Sequence, residues 1–274
     1  MALALVAARG VRATHRNPSP FDAELVGYFD DLLGLYGQRV DERQLSTGAN
    51  VGYPELAERV LPDLDGLTVD GVGFRGVGMV LVAYAVPDVH PLTCVASHVN
   101  HLLGDRAVSM AISEQGLAAP YTALRIAAAH HAAGAAGGTG PALLLVLEQT
   151  TLPYHHPLVH DTPLTDSAAA VVLEPAAVDA DGIGLPWAGT PATLDALVRR
   201  TADERTLVVA GPWVPDVPAE HVHHCPPGTY CTSVWLALAE HRERWSRQFE
   251  RVLLCDVDPR TSTAHAVRIR WSGA

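Results

Sequence analysis

The sequence predicts an α/β fold, a mainly parallel sheet covered on both faces by helices. Three observations carry this. Short apolar segments alternate with segments of helical period along the chain. The apolar segments are apolar throughout, as strands buried on both faces are. Val, Leu and Ala dominate, with only 6% aromatic residues, which suits Ala-rich helices on a sheet better than an aromatic-lined binding module. A chain of 274 residues with 48% apolar and 18% charged residues can bury a sizeable core, and that composition argues against disorder.

Element by element, Leu3 to Ala8 is apolar and bounded by Arg9-Gly10, the pattern of a buried strand. Residues 21–37 place Leu25, Tyr28, Phe29, Leu32, Leu33 and Tyr36 at helical spacing and stop at Gly37. Tyr53 to Leu61 is a second helix, ended by Pro62. Met79 to Val86 is a strand closed by Pro87-Asp88, and a helix over Val95 to Leu103 stops at Gly104. Val108 to Ile112 is a strand, followed by the turn Ser113-Glu114-Gln115-Gly116 and a helix of small residues over Pro120 to Ala133. The glycine-rich run Gly134 to Gly140 lies after a helix and before a strand. A phosphate loop runs the other way, so this run is a helix end and turn. Leu143 to Leu147 and Ala168 to Leu173 are strands around a loop from Glu148 to Thr165. A linker-like stretch, Glu174 to Thr190, precedes a helix (Leu194 to Arg200), a strand (Thr206 to Ala210), a helix (Thr232 to Phe249) and two strands (Arg251 to Asp256, Ala264 to Trp271).

Nineteen basic against thirty acidic residues give a formal charge of −11. No basic face for nucleic acid is visible, and an acidic phosphopantetheine carrier is repelled by such a surface on average, so a carrier is expected to dock on a more basic partner chain. Cys94, Cys225, Cys231 and Cys255 match neither a disulfide framework nor a CxxC pair. No apolar run reaches membrane-spanning length and the N-terminus carries no signal-like core, so the expected location is the cytoplasm.

Several stretches resemble the β-ketoacyl synthases of the thiolase superfamily. Met79 to Asp88 is similar to the family's strand and Pro-Asp turn, and His98 to Gly104 to the helix ending in Leu-Gly. Ala111 to Ala127 resembles the nucleophile turn with its buried helix, and Thr165 to Glu174 the segment opening the last strand of that half. Gly228 to Leu238 resembles a later helix start, and Arg251 to Asp256 with Ala266 to Trp271 the closing strand pair. The resemblance implies a thiolase-like layered fold with an N-terminal half (1–174), a connecting segment (175–190) and a shortened C-terminal half (191–274), in which an element is missing or stunted.

The same resemblance implies where chemistry would sit. The family holds a Cys thiolate at a strand-to-helix turn, where the helix N-terminus lowers its pKa and N–H groups hold the thioester oxygen. Here that turn reads Glu114-Gln115-Gly116-Leu117, with Gln115 or Gly116 at the nucleophile position. The family's His has no match, since the strand Thr206 to Ala210 leads into Gly211-Pro212-Trp213, and Gly228 stands at the Asn position. A Gln at the nucleophile turn resembles the chain-length factors, inactive partners of a catalytic ketosynthase. The implied role is a non-condensing subunit without cofactor or metal that pairs with a catalytic ketosynthase and meets an acyl carrier protein only through it. The alternative is a free-standing acyltransferase or hydrolase of thioesters, with Cys231 as a displaced nucleophile or His156 or His160 as general base.

The remaining groups have plainer readings. Cys94 and Cys255 are expected in the core. His155, His156, His160 and Asp161, and separately His221, His223, His224 and Cys225, lack the paired spacing of a zinc site; only a site joining both clusters is worth testing. Asp166 is expected to brace the turn before its strand, and Glu114 to be a helix-start carboxylate. No GxSxG elbow supports a serine hydrolase.

Overall fold

The computed structural model describes residues 2–14, 23–61, 76–134, 140–176 and 185–271. The first half runs β1 (Ala2–Arg12), α1 (Ala23–Gly34), α2 (Glu42–Thr47), α3 (Tyr53–Val60), β2 (Met79–Tyr84), α4 (Val95–Leu102), β3 (Val108–Ile112), α5 (Ala118–Ala133), β4 (Ala142–Glu148), α6 (Pro157–His160) and β5 (Ser167–Ala176). The second runs β6 (Trp187–Gly189), α7 (Pro191–Thr201), β7 (Thr206–Ala210), β8 (Val222–His224), α8 (Ser233–Gln248), β9 (Arg251–Val257) and β10 (Ala264–Trp271).

All ten strands join one mixed sheet in the order β3-β2-β4-β5-β1-β10-β9-β7-β8, with β6 on β10. The order contains a repeat. The first half reads β3-β2-β4-β5-β1 and the second β8-β7-β9-β10-β6. Matching pairs share their sense: β2–β3 and β7–β8 are parallel, β2–β4 and β7–β9 parallel, β4–β5 and β9–β10 antiparallel, β1–β5 and β6–β10 antiparallel. A parallel β1–β10 pairing, Leu5 opposite Trp271, fuses the halves. The other parallel pairs lie in the two wings, and the antiparallel ones flank the central β1–β10 pair.

Alternation along each strand sends side chains to two cores. Leu81, Leu144, Val209 and Leu254 face an inner layer made by α5 and α8, each of 16 residues, one in each half. Val80, Val82, Leu143 and Leu145 face the outer layer of α3 and α4, and Val208, Leu253 and Cys255 face α7. Burial on both faces is why these strands read as unbroken apolar runs. At roughly 25 cal/mol per Å² of apolar area, such strands supply most of the fold's driving force.

The second half is shorter in two places. Where α4 crosses from β2 to β3, residues 211–221 cross from β7 to β8 without a helix, and β8 has three residues. Where the first half has the loop 149–166 and α6, β9 and β10 are joined by a tight turn closed by Asp258 N–H to Thr263 O at 2.9 Å.

Most predicted elements stand within two residues, and β3, β7 and β10 match at both ends. β1 extends to Arg12 because it pairs along its length with β5. α7 begins at Pro191, earlier than its apolar spacing suggests, because Thr190 and Thr193 form a capping box. α2, capped by the Asp41 carboxylate on the N–H groups of Arg43 and Gln44, and β8 were not foreseen. Part of the stretch read as a linker is strand β6; residues 177–184 of it lie outside the described residues, as do residues 135–139 of the glycine-rich run and 21–22 before α1. No described helix is long and apolar enough to cross a membrane.

Candidate functional site

Between β3 and α5, residues 113–117 make the strand-to-helix turn. Glu114 has φ +59° and Gly116 φ +54°, a left-handed backbone that costs a non-glycine residue energy and persists only where surroundings enforce it. Gln115 is exposed and accepts the Thr122 hydroxyl at 2.6 Å, so its side chain lies along α5. Glu114 is exposed, with no ion-pair partner among the described residues.

Gly116 is buried beneath a polar pair. A Cβ there would lie 2.5 Å from Asp258 Oδ2 and 2.8 Å from the Tyr230 hydroxyl, closer than real Cβ atoms approach. The Tyr230 hydroxyl donates to Asp258 Oδ2 at 2.8 Å, and its ring packs edge-on against Trp213, centroids 5.6 Å apart. The space a nucleophilic side chain at 116 would use is filled by this pair.

The corresponding turn of the second half, 225–232 before α8, is bound by a carboxylate from the first. Glu148, the last residue of β4 and 2% exposed, accepts the Tyr230 N–H on both oxygens at 2.9 Å and those of Cys231 and Thr232 on Oε2. The N–H groups of the turn leading into α8 are therefore taken. Burial pushes Glu148 up to about 7, with those N–H groups pulling the other way.

Asp256, mid-strand in β9, is fully buried. Its Oδ1 would lie 1.9 Å from a Cβ at Gly211, and the Tyr121 hydroxyl donates to Oδ2 at 3.4 Å. Burial holds this carboxyl well above the usual range, opposed by the Tyr121 bond and reinforced by nearby Asp258 and Glu148, so the neutral acid is favoured. His265 stacks on Tyr121 at 5.3 Å, and burial lowers its pKa. Position 211 is thus backbone laid against a buried acid.

Gly116, Tyr230, Asp258, Glu148 and Asp256 converge where the inner helices start, and Gly228 lies in the same loop with φ +121°. Cys231 is 1% exposed, and burial raises its thiol well above the ordinary value, with Glu148 and Asp256 adding to the effect. Such a thiol does not ionise for attack. His156 is part-buried in the β4–β5 loop, its pKa lowered first by burial. Asp166 braces that loop as expected: it is buried, and Oδ1 accepts the Thr150 hydroxyl at 2.6 Å.

Cys94 corrects the sequence reading. It is exposed at the start of α4, where Val95, Ala96 and Val99 carry the burial instead. The Ser97 hydroxyl donates to its sulfur at 3.4 Å, and this bond with the first-turn N–H groups lowers the thiol. The histidine clusters do not converge, since no described group of three His, Cys, Asp or Glu is placed to hold a metal ion. His155 pairs with Asp161 at 3.0 Å, while His223 packs on His241 and Trp245.

Tyr230, Asp258, Glu148 and Asp256 were not singled out from sequence. The signal was present for two of them: Glu148 and Asp256 sit in otherwise apolar strands, where an acid is rare unless it has work to do.

No known family profile matches the chain, and no curated protein matches its sequence. Solved structures do. 3-Oxoacyl-(acyl carrier protein) synthase III, FabH, from Pseudomonas aeruginosa PAO1 superposes with a TM-score of 0.64 at 17% identity, covering 99% of this chain and 98% of that one. The corresponding enzyme of Thermus thermophilus gives 0.65 at 18% identity, covering 99% and 100%. A variant of OleA from Xanthomonas campestris gives 0.61 at 15%, covering 99% and 98%. With the duplicated sheet and its two inner helices, this likeness establishes that the chain has the thiolase-like fold of the ketosynthase III proteins.

Proposed function

We propose that the chain is a non-condensing, ketosynthase-like subunit, similar in role to a chain-length factor, that pairs with a catalytic ketosynthase in fatty-acyl or polyketide assembly. One observation carries the reading: the place of a nucleophile side chain at position 116 is taken by the Tyr230–Asp258 pair. Three features support it. The turn contains no sulfur, Gly211-Pro212-Trp213 and Gly228 leave no His or Asn side chain at the positions where the family carries them, and the N–H groups of Tyr230, Cys231 and Thr232 just before α8 are engaged by Glu148.

A chain released from condensation keeps a use through its surface. Strand β3 is an edge of the sheet, uncharged and free of proline, with Val108 half exposed. Such an edge offers unpaired backbone groups to a second chain. The fold would thus serve as a pairing surface for a chain that holds its own Cys and His.

The alternative, a free-standing thioester acyltransferase or hydrolase, needs an ionisable nucleophile, and Cys231 is buried among carboxyl groups. Two measurements separate the readings. Size-exclusion chromatography with a catalytic ketosynthase that carries its own Cys and His is expected to give a heterodimer. Intact-mass spectrometry of the isolated chain with acyl-CoA is expected to show no adduct on Cys231 or His156. A lone monomer indifferent to the ketosynthase, or an adduct lost in Cys231→Ala or His156→Ala, overturns the proposal.

A further inference from the structure

Eight large apolar side chains are exposed among the described residues, and five of them, Tyr28, Leu32, Leu35, Tyr36 and Leu92, belong to α1, the turn after it and the β2–α4 loop. α1 buries Phe29 and Leu33 against the protein. Its other apolar row, Leu25, Tyr28 and Leu32, recurs at helical spacing on a face that the described residues leave partly or largely exposed. Concentration of apolar surface in one region, rather than scatter, marks a contact site.

Two cavities flank Leu92. One of ≈ 340 Å³ lies between α1 and the β2–α4 loop, lined by Glu24, Leu25 and Tyr28 among others. The second, of ≈ 430 Å³, lies beyond the same loop and reaches Tyr84, Cys94, Ser113 and Glu114 at the old nucleophile turn. Pro91, Leu92 and Thr93 line both, so they form one groove divided by Leu92.

The charge of this groove is one-sided. Among the described residues no arginine lines either cavity, and the chain contains no lysine. Glu24 stands in one cavity and Glu114 in the other; both are exposed, and neither has an ion-pair partner among the described residues. Asp88 adds a third carboxyl, which accepts the N–H groups of Tyr53 and His90. A second copy of this chain would bring the same acids and a formal charge of −11 against it. An acidic carrier protein would be repelled likewise.

We propose that the groove on both sides of Leu92 is the docking seat for a segment of a different protein chain, one that presents apolar side chains flanked by Arg or Lys. This rests on the reading of the chain as a partner subunit and adds the chemistry of the segment it receives. The apolar residues fill the two cavities around Leu92, and the cationic groups meet Glu24 and Glu114. The acidic rim selects against self-association, and the apolar floor supplies the affinity.

The test uses the full chain with two binders. One is a catalytic ketosynthase that carries its own Cys and His; the other is a synthetic amphipathic peptide carrying Leu and Arg, compared with its Leu and Glu counterpart. Binding is read by sedimentation velocity or anisotropy, and by alkylation of Cys94, whose thiol opens into the groove. Leu92→Asp is expected to abolish binding. Glu24→Arg with Glu114→Arg is expected to weaken it roughly tenfold at physiological salt and to reverse the peptide preference. Docking is expected to slow Cys94 alkylation, while Glu204→Arg on a distant surface changes nothing. A ketosynthase complex of unchanged affinity in both groove variants overturns the groove but leaves the subunit reading standing. A ketosynthase that does not bind, beside an Arg peptide that protects Cys94, overturns the subunit reading but keeps the groove. Protection by neither binder, or homodimerisation through Leu92, overturns the inference.

Discussion

Gly116→Ala tests the filled site with one carbon atom. Two costs act together. A φ of +54° is open to glycine at no steric cost, whereas alanine pays about 1 kcal/mol or more there. The added Cβ also meets Asp258 Oδ2 at 2.5 Å and the Tyr230 hydroxyl at 2.8 Å. Neither can swing clear easily, because they are hydrogen-bonded to each other and Tyr230 is packed on Trp213. Overpacking of this kind costs about 1–3 kcal/mol, for a total of about 2–4 kcal/mol. At roughly 2–4 °C per kcal/mol for a chain of this size, Tm falls by on the order of 10 °C. Circular dichroism melts and urea titrations read it, with the urea midpoint moving and m unchanged. Gly27→Ala is the control: nothing lies within 4 Å of its Cβ and it sits in α1, so alanine is expected to stabilise by about 1 kcal/mol. A Gly116→Ala protein melting with the wild type refutes the account of position 116.

Three further outcomes follow from the buried groups. Glu148 ionises near 4.5 when unfolded and at about 7 when folded. Its stabilising contribution is therefore complete below 4.5 and lost as pH rises to 7, about 3 kcal/mol in all; Glu148→Gln is expected to remove that slope, and a urea-midpoint profile still falling by the same amount between pH 4.5 and 7 contradicts the assignment. Asp256 is favoured as the neutral acid, so Asp256→Asn is expected to change stability at pH 7 by less than about 1 kcal/mol, whereas a loss of about 3 kcal/mol or more would mean a buried charge had been removed from its partners. In the native protein a thiol reagent is expected to modify Cys94 first, with Cys225, Cys231 and Cys255 reacting only on unfolding; an equally fast second thiol in Cys94→Ser contradicts their burial.

Local pattern made the layers legible. Runs such as Leu143 to Leu147 and Val252 to Leu254 have one physical explanation, strands covered on both faces, and they lie inside the sheet, each with a neighbour on either side. Elements without an apolar signature were not legible. β8 is three residues containing two histidines, and it is a strand because β7 offers it backbone partners at Val208 to Ala210. α2 depends on a cap at Asp41. At position 116 the sequence shows only a glycine in a turn, while the groups that fill the space over it come from residues 230 and 258, brought there by the meeting of the two halves. Cys94 was misplaced for a related reason: apolar neighbours gave α4 a buried face, but the capping residue before a helix need not lie on it.

The closure of the site is tied to the shortness of the second half. Asp258 sits at the β9–β10 turn, where Oδ1 accepts the Arg260 N–H at 2.8 Å while Oδ2 accepts the Tyr230 hydroxyl above Gly116. One carboxylate thus fixes the turn and fills the space over Gly116, so it cannot move aside without loosening the hairpin. This makes a double-mutant cycle informative. Asp258→Ala alone loses two hydrogen bonds and is destabilising by about 1–3 kcal/mol. In its presence, alanine at 116 meets only the Tyr230 hydroxyl, which is then free to shift. Gly116→Ala with Asp258→Ala is therefore expected to cost less than the two single changes together by about 1 kcal/mol or more. Additivity within about 0.5 kcal/mol would mean that Asp258 does not occupy the space over Gly116, and the filled-site argument would lose its basis.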